Sequence, residues 1–591
     1  MRRTKLVALT TSGVLALTLA ACSSSGPGGG SKGSSTGGNN TLNAANSKAA
    51  ALGTDATATS PAAPVPGAKT GGIININDGS APPTMDPSGI YYTDSGAVGN
   101  GLLFRTLTQY KIVDGKAVLV PDLATNLGTE SADGLTWTFH VKTGIKYSDG
   151  SPVKLADYVY AIKRSFAQDT VAANGPNYQM EFLKGGSTYK GPFKQPDVNF
   201  PGVTTEGDNT LVFHLVKKMP AFNFFASFTQ FSPIPQSKDT RGNYQLHPLT
   251  TGPYKVDSYT KGQKMVLSKN PYWDAKTDPV RHQYANGYVI NFNVDPKQSQ
   301  QRILSGSGVG TTSVDINAVD SSVVSQVTGA KKDQFVSGPG ACEYYVNMDT
   351  RKIPFNIRKI IAIAWPYNNI RKAAELATVN YEPATTYAPP SLQGFKAYPP
   401  VNGATGQGPG DPAKAKAMLK AAGKLGYQLS WYYRNDTPTR VAANNAKVAG
   451  LEAAGFKVKA IGVSGQQYTT KIANTTLPVN MGQGVPGWCY DWPTGDAEYP
   501  PLFNGAGIAN GQTVGEFSNP KITKEINEYS AMEPAAAGPK WAALDKQLMT
   551  DYLPALPDYY ALSTAIFGTQ IKNVVLNPNN EIPVLSALYV S

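Results

Sequence analysis

The chain has 591 residues, a formal net charge of +12 and 31 tyrosines, yet only 16% of its residues are charged. A basic balance can signal nucleic acid, but an export signal and the lack of a dense Lys/Arg run exclude it, leaving positive faces beside anionic lipid or cell-wall polymer. The length exceeds what one hydrophobic core serves, so two or three domains are expected.

Residues 1–21 begin with Arg2, Arg3 and Lys5 and continue through an apolar stretch from Leu6 to Leu19. That is a secretory signal, short for a membrane span. "LAAC", Leu19 to Cys22, resembles the lipobox of bacterial lipoproteins, which implies cleavage before Cys22 and a diacylglycerol on its sulfur; two acyl chains anchor firmly where one does not. Residues 22–69 are rich in Ser, Gly, Thr, Ala and Pro, and the first aromatic is Tyr91. Such a segment cannot bury enough apolar surface to offset its ordering entropy. It is expected to be a disordered tether, with the fold beginning near Thr70.

"GGIINI" from Gly71 is a first short strand. In "GLTWTFHV" the alternation puts Leu135, Trp137, Phe139 and Val141 on one face. "NTLVFHLV" repeats it with Leu211, Phe213 and Leu215, so His140 and His214 fall on polar faces. "PFNIRKIIAIAW" from Pro354 is an apolar helix. In "DPAKAKAMLKAAG", Asp411 suits the N-cap, Pro412 the first helical position and Gly423 the stop. The mixture is α/β. After Cys22 only Cys342 and Cys489 remain. In an oxidising compartment they are expected to pair, the rival reading being two separate buried thiols. Neither cysteine has a second cysteine or histidine nearby, so no metal site or cofactor is expected.

Enzyme motifs are sparse. G-x-S-x-G, H-E-x-x-H and the phosphate-binding G-x-x-x-x-G-K-[ST] are missing after the signal. "SPVK" at Ser151, "SYTK" at Ser258 and "SNPK" at Ser518 fit the S-x-x-K of penicillin-interacting enzymes, and "KTG" stands at Lys142. No S-D-N accompanies them, and the K-T-G lies upstream of all three, the wrong order. A secreted serine acyl-transfer enzyme stays as the rival of a different class; no catalytic residue is assigned.

The segment Leu119 to Phe166, "LVPDLATNLGTESADGLTWTFHVKTGIKYSDGSPVKLADYVYAIKRSF", resembles the signature region of the family 5 solute-binding proteins of ABC transporters, the peptide and nickel group, with Tyr147 for the usual Trp and Tyr158 for Val. Further blocks follow that family's order: "TMDP" at Thr84, "TTGPYKVDSYTKGQKMVLSKNPYW" at Thr250, "YYVNMDTRKIPFNIRKIIAIAW" at Tyr344, "DPAKAKAMLKAAG" at Asp411 and "LPALPDYY" at Leu553. The resemblance implies a periplasmic-binding-protein-like fold of two lobes and a hinge, with an extra domain. The first lobe would comprise residues 70–113, 249–341 and 560–591, the extra domain 114–248 and the second lobe 342–559.

"GWCYDWPTGD" from Gly487 resembles the family's Trp-x-x-Asp-Tyr motif, with Trp492 where Tyr is usual. In peptide-binding members that aspartate pairs with the ligand's α-ammonium, and Asp491 matches it. Trp488, Tyr490 and Trp492 would seal the pair or stack on ligand side chains. Tyr91 and Tyr92 are further candidate contacts, and Arg434 is a candidate for the peptide carboxylate. A Cys342–Cys489 disulfide would brace the wall behind Asp491. The implied function is that of a substrate-binding lipoprotein of an ABC importer, holding oligopeptides or dipeptides between its lobes and passing them to permease subunits driven by their ATPase. It would be monomeric and anchored to the outer face of the cytoplasmic membrane (or periplasmic, if the cell has an outer membrane). An oligosaccharide, opine or nickel complex in the same fold is the nearer alternative, and a sensor without import would need the same clamp.

Overall fold

The computed structural model describes residues 53–173, 175–505, 508 and 513–591. Cys22 and the signal segment lie outside the described residues. None of the described helices is long and apolar enough to cross a membrane.

A nine-stranded mixed sheet runs through the molecule, in the order Gly487–Cys489, Phe335–Asn347, Ala555–Phe567, Ser313–Asp315, Ile73–Asn77, Gly287–Asn291, Lys264–Lys269 and Tyr254–Thr260; Tyr381–Pro383 also pairs with Ala555–Phe567. Two strands of 13 residues, Phe335–Asn347 and Ala555–Phe567, pair antiparallel and join the lobes. At one end Phe335 faces Ile566; at the other Asn347 faces Ala555. Their two ends belong to different cores. Ala565 and Phe567 pack with Ile74, Ile76 and Ile290 in the first lobe. Tyr345, Ala555 and Leu556 pack with Ile357, Ile361 and Trp365 in the second. Between Pro339 and Glu343 the register of the pair shifts. A ladder that breaks there leaves amides to be satisfied by other groups.

The extra domain holds a four-stranded antiparallel sheet, ordered Thr129–Glu130, Thr136–His140, Thr210–His214, Val203–Glu206. The sequence alternation is realised at Trp137 and Phe139, whereas Leu135 precedes the strand and stays 37% exposed; in Thr210–His214, Val212 is buried as well as Leu211 and Phe213. His140 and His214 lie on the outer face, each hydrogen-bonded to a threonine, Thr210 and Thr204 respectively, at 2.9 Å. The helix Leu155–Arg164 carries Arg164 to Asp86 of the "TMDP" block, where its Nη2 donates to Asp86 Oδ2 at 2.8 Å, and its Nε donates to Asp239 at 2.9 Å. A second buried network joins Arg105, Asp122, Asp278 and Arg281. The two guanidiniums beside Asp278 hold its carboxyl below the usual range against the effect of burial. In the second lobe the helix Pro412–Ala421 is capped by the Asp411 carboxylate, which accepts from Lys414 N at 2.9 Å.

Residues 53–69, expected to be part of the tether, pack on the fold instead, and the rest of that expected segment lies outside the described residues. Gly53–Thr54 pairs parallel with Lys116–Pro121, Ala62 N donates to Asp278 O at 2.9 Å, and Val65 N donates to the Tyr284 hydroxyl at 2.8 Å. A segment too polar to build a core can still satisfy its backbone on the edge of one already built.

Candidate functional site

The strand Gly487–Cys489 docks on Phe335–Asn347 with Cys342 opposite Cys489 and Glu343 opposite Trp488. Cys342 and Cys489 form a disulfide, the pairing expected of them in an oxidising compartment. Strand pairing ends there. Tyr490 keeps one long hydrogen bond, from its N to Ala341 O at 3.4 Å, and the chain turns so that Trp488, Cys489, Tyr490 and Asp491 all reach one cavity. The turn that follows is fixed by Asp496, whose carboxylate accepts from Thr494 Oγ1 and from Trp492 Nε1 at 3.1 Å.

The cavity has a volume of about 260 Å³ and draws its walls from separate parts of the chain. Tyr91 and Tyr92, at the start of the helix Thr93–Val98, line it from the first lobe. Gln109, Tyr110 and Phe228 add to the walls. Tyr344 and residues 488–491 face them, and residues 579–581 close the hinge side.

Asp491 is the focus. Its Oδ2 accepts from the Tyr91 hydroxyl at 3.0 Å and from the Tyr178 hydroxyl. The three residues belong to three separate stretches of chain, so the carboxylate ties them together across the cleft. Among the described residues no lysine, arginine or histidine pairs with it. Burial pushes its carboxyl up to about 6, and the bonds from Tyr178 and Tyr91 pull the other way. A carboxylate with two neutral donors and no cation on a cavity wall has capacity for a further charged partner.

The other expected site residues divide. Trp488, buried with its Nε1 donating to Ala497 O at 3.0 Å, and Tyr490, whose hydroxyl donates to Asn579 Oδ1 at 3.4 Å, are walls of the cavity, as are Tyr91 and Tyr92. Trp492 is not. It turns into the aromatic core of the extra domain, 4.7 Å from the Tyr178 ring centroid and about equally far from Phe225 and Phe228 at 6.3 and 6.2 Å. It locks the second lobe onto the extra domain. Arg434 ends the strand Gln428–Arg434, where its Nη2 meets Asp436 at 2.7 Å. It is not a wall of the cavity, and it shares the Asp436 carboxylate with Arg440. The S-x-x-K serines are no walls either: Ser151 bonds Asp149 in a turn, and Ser258 and Ser518 are exposed.

Tyr178 and Glu581 escape sequence reading. Tyr178 lies 313 positions from Asp491 in a stretch without a motif, and its role arises only from packing. Glu581, in "NPNNEIP", lies beyond the last family-like block.

A sequence model of the family described as "Bacterial extracellular solute-binding proteins, family 5 Middle" matches residues 118–510, more than half of the chain. The oligopeptide-binding protein OppA of Bacillus subtilis is 23% identical over 86% of this chain and 91% of its own length. The periplasmic murein peptide-binding protein MppA of Escherichia coli is 24% identical over 80% and 86%. Among solved structures, the clavulanic acid biosynthesis oligopeptide binding protein 2 superposes with a TM-score of 0.77 at 23% identity, covering 91% of this chain and 98% of the other. The chain belongs to the family 5 bacterial extracellular solute-binding proteins.

Proposed function

From its place among the family 5 solute-binding proteins, we infer that this chain is the peptide receptor of an ABC importer, lipid-anchored through Cys22 outside the cytoplasmic membrane. Asp491 carries the reading. A peptide's α-ammonium is the cation that this carboxylate lacks, and a desolvated ammonium needs such a partner. The relatives named as oligopeptide- and murein peptide-binding proteins support the same class of solute. Trp488 and Tyr490 give the cavity large amphipathic faces that accept varied side chains.

Binding and closure are one event in this account. Tyr91 and Tyr178 reach Asp491 only with the lobes together, and the register shift between Pro339 and Glu343 is where we place the pivot. A ligand shifts that equilibrium only through tighter binding to the closed form. An ammonium bound to Asp491 meets that condition, because the tyrosines complete its surroundings only on closure.

Titration calorimetry with a peptide and its N-acetylated form tests the reading. Acetylation removes the cation and keeps the rest, so the acetylated peptide should bind at least about 30-fold more weakly, the loss typical of one partner of a buried charged pair. Equal affinity for both forms refutes the ammonium contact. An oligosaccharide that binds while peptides do not would shift the solute class and keep the fold.

A further inference from the structure

The cavity that holds Asp491 contains a second carboxylate which the ammonium contact leaves unused. Glu581 sits between the short paired strands Leu576–Asn577 and Ile582–Pro583, in the left-handed region at φ 59°. That conformation is uncommon for a residue with a long side chain. Its Oε1 accepts from Ala341 N at 2.8 Å and Cys342 N at 3.2 Å, two amides inside the register break of the hinge strands. Gly340 makes room for it: a Cβ there would come within 2.3 Å of that oxygen. The carboxylate is thus fixed beside the disulfide on the cavity wall. Its other oxygen, Oε2, has no protein partner among the described residues.

The charge of the cavity is one-sided. Its walls include Asp491 and Glu581 and no lysine, arginine or histidine. A single ammonium at Asp491 would leave the half-buried Glu581 carboxyl, which burial pushes up, without a counter-charge on the cavity wall. A cationic partner favours the charged form of such a group. The ligand that best matches these walls brings two cations, one for each carboxylate.

We propose that Glu581 is a specificity-determining residue that receives the basic side chain of a lysine or arginine in the bound peptide, so that the cavity selects basic peptides over neutral ones. This rests on the peptide reading above. It differs from a purely structural role, in which Glu581 only holds the two hinge amides. Glu581→Gln separates the two roles. The amide oxygen of Gln still accepts from Ala341 and Cys342, so a structural role survives, while the negative charge is gone.

The test is calorimetry on the purified chain with alanine peptides of two to five residues, each with and without one lysine at successive positions. The expected result is that lysine at one position raises affinity at least tenfold over the all-alanine peptide of that length. Glu581→Gln should abolish that gain. Lysine and alanine peptides binding alike, or a preference that persists in Glu581→Gln, overturns this inference and leaves the peptide reading standing. Failure of every peptide to bind overturns both.

Discussion

Asp491→Asn should move stability and affinity in opposite directions. Asn keeps the size of the side chain and an oxygen for the Tyr91 and Tyr178 hydroxyls, but it cannot ionise. In the ligand-free protein the carboxyl is held at about 6 against an ordinary 3.8, chiefly by burial. A raised carboxyl stays protonated in the folded chain between about pH 4 and 6 while the unfolded chain has given up its proton. Stability is therefore lost as pH climbs through that window and stays reduced above it. The difference between 3.8 and 6 corresponds to about 3 kcal/mol. Asp491→Asn should accordingly melt a few degrees above the wild type at pH 7.5 and match it near pH 4. Binding should respond the other way, with affinity for free-amine peptides falling at least about 30-fold. Thermal melts across pH, paired with calorimetry, read both effects. A variant that melts lower at every pH and binds peptide normally would make Asp491 a structural acid and refute the reasoning.

Tyr178→Phe removes a donor that pulls the Asp491 carboxyl down, so the pH at which bound peptide is released should rise; an unchanged midpoint in affinity against pH contradicts this. Asp122→Asn leaves Arg105 and Arg281 short of one of the two carboxylates they share and should cost about 3–5 kcal/mol, read as a lower melting temperature. Glu343 and Glu498 are wholly buried, and burial drives both carboxyls well up, with the Glu498 charge pushing Glu343 further. Both are protonated in the folded chain where the unfolded chain is ionised, so stability should fall as pH rises above the ordinary carboxylate range. Glu343→Gln should flatten that fall in melts from pH 5 to 9, and an unchanged slope would contradict it.

The architecture was legible because it is written locally. Trp137 and Phe139 alternate, Asp411 caps its helix, and the family-like blocks keep their order along the chain. Asp491 was legible for the same reason, as part of a contiguous motif. What surrounds it was not. Tyr178 and Glu581 come to the cavity through tertiary packing over long separations, and neither has a local pattern that marks it. Trp492 shows the limit from the other side: an aromatic next to an acid on the cavity wall reads as a ligand contact, yet its ring packs against Tyr178. Arg434 reads as a candidate for the peptide carboxylate, yet it sits off the cavity and shares Asp436, two residues on, with Arg440. The segment from Gly53 to Lys69 has the composition of a linker, and composition does not report that its backbone meets a sheet edge and the Asp278 loop.

Native mass spectrometry of the chain, purified without denaturation from cells grown in peptide-rich medium, tests the central claim most directly. The account predicts a ladder of bound masses that fragment as peptides with free N-termini and whose binding weakens progressively as pH falls below about 6, where the ligand-free Asp491 takes up a proton. A single non-peptide mass, retained at low pH, would contradict it.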